Sequence, residues 1–261
     1  MQSQSHRSDA RTLGRRTLEQ DHRHLAGLLR PGLSVLDVGC AGGAITVGIA
    51  KAVGPEGEVV GVDRDPNQLE SARTHLPEHA NLRFELGDAA SLTYESHFDI
   101  VTSARTLQWT PDPGAAVAAM ARAAKPGGLV VILDYNHEDN GWDPAPPAEF
   151  QHFYQAFLDW RQAHHWDNRM AEHLPALMQA AGLVEVQSHL QDELTQRGEA
   201  GFPARTSLWI EVIDSVGAQL VEGGYCSDGE LQLARSLYEV WVRTELLRQT
   251  LSMRTVTGRF P

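Results

Sequence analysis

Between Leu33 and Leu190 the chain alternates short β-branched runs with longer helical patterns. That alternation constrains the fold more than any other feature. A strand that must be followed by a helix before the next strand implies parallel pairing with right-handed crossovers, hence a doubly wound α/β sheet. Residues 34–38, 58–62, 82–86, 98–102 and 129–133 read as strands. The first, Ser34-Val35-Leu36-Asp37-Val38, lies between Pro31-Gly32 and Gly39 and is apolar enough to be buried on both faces. Helices are expected over 43–53, stopped by Gly54-Pro55, over 66–76 with Pro66 in the first turn, and over 113–124, closed by Pro126-Gly127-Gly128.

Beyond residue 135 the pattern changes. Residues 136–147 are rich in Pro, Gly, Asp and Asn and read as a loop, followed by an aromatic-rich helix over 150–163. Ala181-Gly182 closes another helix and leads into a strand over 183–188. Leu208, Trp209, Val212, Ile213, Val216 and Leu220 recur at helical spacing, as do Leu231, Ala234, Leu237, Tyr238 and Trp241. Alternating Leu251, Met253, Thr255 and Thr257 predict a final strand, antiparallel to an otherwise mostly parallel sheet. The expected organisation is an N-terminal helical segment (1–30), a core (31–190) carrying an insertion (136–166), a helical cap (191–249) and a last core strand (250–261). The cap helices read as a lid or substrate wall, with extra core packing or a homodimer contact as alternatives.

Of 261 residues, 42% are hydrophobic and 21% charged, the balance of a globular protein. Lys and Arg number 22 against 34 Asp and Glu, a formal net charge of −12, so nonspecific nucleic-acid binding would be self-repelling. The cluster Arg7, Arg11, Arg15 and Arg16 is diluted by Asp9 and Glu19. Two distant cysteines, Cys40 and Cys226, make neither a disulfide framework nor a zinc site, and no metal is expected. The amino terminus lacks the apolar core of a signal peptide, and no apolar run is long enough to cross a bilayer. The setting expected is soluble, reducing and cytoplasmic, with no membrane partner.

In a doubly wound sheet the ligand sits beyond the carboxyl ends of the strands. The distinctive residues fall there. The first strand runs into Asp37-Val38-Gly39-Cys40-Ala41-Gly42-Gly43, where glycines bring backbone amides close to a ligand. The second ends at Asp63, placed to accept from two ribose hydroxyls, and the third at Gly87-Asp88-Ala89, where Asp88 could accept from an exocyclic amine.

Read together, VLDVGCAGG (35–43), GVDRDPNQLESAR (61–73), LRFELGDAASL (82–92), FDIVTSARTLQW (98–109) and KPGGLVVI (125–132) resemble, in order and at similar intervals, the five motifs of the class I S-adenosylmethionine-dependent methyltransferases. The resemblance spans about 18–190 and implies a Rossmann-like fold with S-adenosyl-L-methionine as cofactor. By resemblance, Asp37 anchors the methionine amino group while Gly39, Cys40, Ala41 and Gly43 line the methionine and ribose. Asp63 binds the ribose, Arg64 and Gln68 wall the adenine, and Gly87, Asp88 and Ala89 meet its amine and ring. Backbone at Ser103 and Ala104 faces the sulfonium. An N-terminal helix over 15–29 covers the cofactor carboxylate through Arg15, Arg16 or Gln20. Ala41 departs from the family, which usually has glycine there.

The main competitor on the same scaffold is a NAD-dependent oxidoreductase, but residues 39–43 do not spell G-x-G-x-x-G and Asp37 ends the first strand. A protein that binds the cofactor without methyl transfer is a second alternative. A sulfonium methyl is already activated, so holding the nucleophile in line and excluding water is the chief requirement, with a base needed only for a protonated acceptor. No Asn-Pro-Pro-Tyr run follows the fourth strand, which argues against adenine, cytosine or glutamine amide as acceptors. Of 12 histidines, His137 is the candidate base, because it follows the fifth strand directly. Trp109, Tyr135, Tyr154 and Trp209 are the expected substrate-facing residues, and such apolar walls suit a small organic acceptor.

Overall fold

The computed structural model describes residues 16–261, which divide into two compact units. The larger comprises 16–135, Arg169–Gln191 and Met253–Pro261. It begins with two short helices, α1 (Leu18–Asp21) and α2 (Arg23–Leu28), followed by β1 (Ser34–Val38), α3 (Ala44–Val53), β2 (Glu58–Asp63), α4 (Pro66–Arg73) and β3 (Leu82–Leu86). Then come β4 (Phe98–Ala104), α5 (Pro113–Ala123), β5 (Ala124–Tyr135), α7 (Met170–Ala180), β7 (Val184–Leu190) and β10 (Met253–Arg259). The strands form one sheet in the order β3-β2-β1-β4-β5-β10-β7. Strands β1 to β5 run parallel, and β10 is antiparallel to both β5 and β7.

Alternation along each strand sends successive side chains to opposite faces. Val35 packs with Ile49, Val53 and Leu69 from α3 and α4, and with Leu18 and Leu25 from the first two helices. Leu36 and Val38 pack on the other face with Val117, Met120 and Leu174 from α5 and α7. Gly48 lets α1 come close to α3, since a Cβ there would stand 2.6 Å from Leu18 Cβ. Helix starts follow their capping signals: Asp65 accepts from Asn67 N at 2.9 Å ahead of Pro66, and Asp112 from Ala115 N at 2.8 Å ahead of Pro113.

The smaller unit comprises Asn136–Asn168 and Asp192–Ser252. It contains β6 (Gly141–Asp143), α6 (Ala148–Ala163), β8 (Glu193–Gln196), α8 (Phe202–Thr206), α9 (Leu208–Glu222), α10 (Asp228–Thr244) and β9 (Arg248–Leu251). Its strands form an antiparallel sheet in the order β6-β9-β8. The insertion after β5 and the segment between β7 and β10 therefore share one unit. Ser227 and Glu230 close a reciprocal capping box at the start of α10, and the Arg197 guanidinium donates to the carbonyls of Val242, Arg243 and Leu246 around its end.

Several boundaries differ from expectation for identifiable reasons. The helix expected over 15–29 is interrupted within its described part: the backbone breaks at His22, whose ring turns into the core instead of continuing the helical surface. The helix begun at Pro66 ends at Arg73. The expected last strand is split at Ser252, so Leu251 pairs with Glu193 in the small sheet while Met253 pairs with Tyr135 in the large one. The segment read as purely helical holds β8 and the first half of β9, and the loop over 136–147 holds β6. No described helix is long and apolar enough to cross a membrane.

Candidate functional site

Strand order reverses between β1 and β4, the point at which a doubly wound sheet opens a crevice beyond its carboxyl ends. A cleft lies there, lined by Arg16, Asp37, Gly39, Cys40, Ala41, Gly42, Ala44, Ile45 and Ala104. Gly39 leaves β1 at φ +79, where a Cβ would overlap the Thr106 side chain. Gly39 N and Cys40 N both donate to Val62 O, at 2.7 and 3.1 Å, tying the turn to the end of β2. Gly43 caps α3 at φ +80, with the Phe84 ring 2.7 Å from where a Cβ would stand. Only glycine meets both requirements at these two positions.

Two carboxylates are built into this turn. Asp63 Oδ2 accepts from Ala41 N at 2.8 Å and Asp63 Oδ1 from Asp65 N at 2.9 Å, so each oxygen is positioned by a backbone amide and keeps acceptor capacity. Asp37 is 3% exposed, and its Oδ2 accepts from Thr46 Oγ1 at 2.7 Å. Burial raises the Asp37 pKa to about 6; the Thr46 bond opposes that rise, and the Asp63 charge adds to it. Burial, with Asp37 and Asp63 nearby, also holds the Cys40 thiol neutral.

Of the other anticipated residues, Ala104 lines this cleft, while Ser103 is buried with its hydroxyl donating to Val38 O at 2.8 Å. Asp88 is exposed and caps the short turn Ala89–Ser91 through Ala90 N at 2.8 Å. Gly87 N donates to Asp63 O at 3.0 Å, joining the ends of β2 and β3. Arg64 is exposed and Gln68 half-buried on the first turns after β2. Gln20 is exposed on α1, whereas Arg16 lines the cleft; Arg15 lies outside the described residues. Tyr135 is buried, with the Arg105 guanidinium 5.8 Å from its ring centre, and Trp109 is half-buried after β4.

A further polar group joins the N-terminal helices to the sheet. Thr102 Oγ1 donates to Val131 O at 2.8 Å, so His22 Nε2, 2.8 Å from the same oxygen, is the donor to it. Burial, then the Arg105 charge, then His24, lowers the His22 pKa to about 3. Arg105, at φ +60, donates to Asp21 O at 3.0 Å and pairs with its carboxylate at 3.5 Å. Sequence reasoning missed His22, Arg105 and Thr46. Thr46 carries the one available signal, a polar side chain in the apolar run Ala44-Ile45-Thr46-Val47.

In the smaller unit, His137 is not a solvated loop histidine. It is buried, its backbone N–H donates to Asn168 O at 2.7 Å, and its backbone carbonyl accepts from Tyr154 Oη at 2.6 Å. Burial and the Arg161 charge hold the imidazole neutral and weakly basic. Tyr154 and Trp209 are brought together, ring centres 4.9 Å apart, beside Trp142, Phe150 and Phe157. Gln249 Oε1 lies 3.2 Å from both Trp142 Nε1 and Tyr238 Oη, giving the aromatic cluster a polar centre.

Residues 29–192 match the family described as "Methyltransferase domain". The chain belongs to this family. The matched methyltransferase domain takes in β1 to β7, and β10 completes its sheet from beyond the match. Demethylmenaquinone methyltransferase of Lactococcus lactis is 40% identical over 109 residues, which is 41% of this chain and 43% of that protein. The chain thus spans less than half the length of the curated relatives it matches. Haemonchus contortus phosphoethanolamine N-methyltransferase 2, solved with phosphomonomethylethanolamine and S-adenosylhomocysteine, superposes with a TM-score of 0.58 at 18% identity, over 93% of this chain and 53% of that one. The YcgJ protein of Bacillus subtilis gives 0.57 at 20% identity, over 91% and 98%. At these identities the two structures establish the fold.

Proposed function

We propose that the cleft binds S-adenosyl-L-methionine and that the protein transfers its methyl group to a small apolar or aromatic organic acceptor. The observation that carries this reading is the pair of carboxylates on the β1 and β2 ends, held on either side of a turn that only glycine can make. The group fits: Asp63 keeps lone pairs for a vicinal diol, Asp37 offers an anion to an ammonium in the cleft, and the side-chain-free Gly39 and Gly43 leave backbone open to close approach. Arg16 in the same cleft suits a ligand carboxylate.

When bound, the cofactor supplies a methyl on a positively charged sulfur, already activated toward displacement. The chain's part is to fix that methyl against an acceptor and exclude water. Ala104, at the end of β4, lines the cleft and is proposed to face the methyl. The name of the curated relatives supports an aromatic acceptor. His137 is proposed as the base where the acceptor arrives protonated: its imidazole is neutral and has one nitrogen to take a proton, while burial and the Arg161 charge make it a weak base. Both cysteines are free thiols, which suits a reducing, cytoplasmic setting.

The test is calorimetric titration with S-adenosylhomocysteine, with NAD as control. Micromolar binding of the former alone, followed by acceptor-dependent release of S-adenosylhomocysteine, is the expected result. Binding of NAD alone overturns the reading, and cofactor binding with no transfer to any acceptor in an aromatic panel reduces it to a binding protein.

A further inference from the structure

We propose that Thr46 is a positioning residue of the cofactor site: its hydroxyl, 2.7 Å from Asp37 Oδ2, fixes the Asp37 carboxylate as an anion with Oδ1 left for the ligand. The inference rests on the cofactor reading above. Thr46 is fully buried in the first turn of α3, in a stretch whose neighbours Ala44 and Ile45 line the cleft. A buried hydroxyl must find an acceptor, and here it turns to a carboxylate on the adjacent strand end. Such a bond does two things. It locks the rotamer of Asp37, and it stabilises the charged form against the burial that would protonate it.

The balance around Asp37 is close enough for one hydroxyl to decide it. Its strand neighbours are uncharged, Gly61 on β2 and Thr102 on β4. Asp63 from the end of β2 opposes ionisation, and Cys40 in the turn is a neutral thiol. His22, packed on Thr102, is uncharged as well. Arg16 shares the cleft. Thr46 is therefore the group from α3 that favours the anion.

The experiment measures S-adenosylhomocysteine affinity by calorimetry between pH 6 and 9 for wild type, Thr46→Val and Thr46→Ser. Comparing variant with wild type at each pH cancels titration of the ligand itself. A hydrogen bond to a charged group corresponds to a shift of about 1 to 2 pH units in the carboxyl. Thr46→Val should then bind roughly two- to tenfold more weakly at pH 7, with the ratio rising at pH 6 and approaching one at pH 9. Thr46→Ser should follow wild type throughout. A ratio that does not change with pH assigns Thr46 a packing role and overturns the proposal. Should Thr46→Val not fold, Thr46→Ala carries the same comparison. In an Asp37→Asn background the pH-dependence of the ratio must vanish; its persistence also overturns the proposal. Wild type failing to bind at any pH is a different result, and removes the cofactor reading itself.

Discussion

In the sheet unit, polar side chains gather where strands end: Asp37 and Asp63 are held by one hydroxyl and by backbone amides, and Asp37 and the turn bonded to Asp63 line a cleft. In the unit built from Asn136–Asn168 and Asp192–Ser252, polar atoms turn inward. The Arg161 guanidinium is buried over Phe157 and bonded to Asn168, Gln249 sits between Trp142 and Tyr238, and Arg197 is spent on the end of α10. The difference follows from architecture. A parallel sheet leaves amides and carboxylates unspent at its carboxyl edge, whereas a small unit with a short sheet needs its polar groups to join its aromatic parts.

If that contrast is right, damage should separate into stability and binding. The largest effect is expected from Phe150→Ala. Phe150 is fully buried and stacks on Tyr238 at 4.1 Å, so its loss should cost about 3–5 kcal/mol. Thermal and urea unfolding would measure it, with S-adenosylhomocysteine affinity read on the folded variant. An equal fall in affinity would break the separation. Next comes Asp63→Ala, which removes the acceptor proposed for two hydroxyls and should weaken S-adenosylhomocysteine by about 3–4 kcal/mol, at least a hundredfold. Binding within a few-fold of wild type would mean the cleft is not used as proposed.

Asp37 sharpens the contrast because it should move stability and binding in opposite directions. Its pKa is about 6 in the folded protein against an ordinary 3.8. Between those values the folded state holds a proton the unfolded chain has released, so stability falls as pH rises and the cost is complete above pH 6. Asp37→Asn should therefore raise stability at pH 8 by up to about 3 kcal/mol and change nothing at pH 3. The same variant should lose about tenfold in cofactor affinity at pH 8, by calorimetry. Gains in both would show that the buried charge serves no ligand.

The sheet unit was legible because its signals are local. Asp65-Pro66 and Asp112-Pro113 mark helix starts, Gly39 and Gly43 mark the turn, and β1 reads as buried from five residues. Strand ends converge in any doubly wound sheet, so Asp37, Gly39, Cys40 and Ala41 after β1 and Ala104 at the end of β4 line one cleft, while their assignment to a cofactor rests on the family resemblance. Long-range choices were not legible. Nothing near His22 announces that its ring will reach Thr102, eighty positions on, and break a helix to do so. Nor does Ser252 announce that it separates strands of two different sheets. The smaller unit was read as helices because amphipathic periodicity is strong over 208–244, while three strands of three or four residues are too short to show a period of two.

The smallest effect bears on Ala41, a residue with a side chain at positive φ between two glycines that share that conformation. Ala41 sits at φ +47, a conformation that costs an L residue about 1 kcal/mol. Glycine would relieve that strain but gain about the same in unfolded-chain entropy, so Ala41→Gly should change stability by under about 0.5 kcal/mol. What the site uses at this position is the N–H, which donates to Asp63 Oδ2 and which glycine also has. S-adenosylhomocysteine affinity should accordingly stay within about twofold, an energy below 0.5 kcal/mol. Ala41→Val keeps the same N–H but adds β-branching at a positive φ, and should destabilise by about 1–2 kcal/mol while weakening binding. A large gain in affinity for Ala41→Gly would instead mean that the methyl group intrudes on the ligand, so that the turn, unlike the carboxylates beside it, is not shaped for the cofactor.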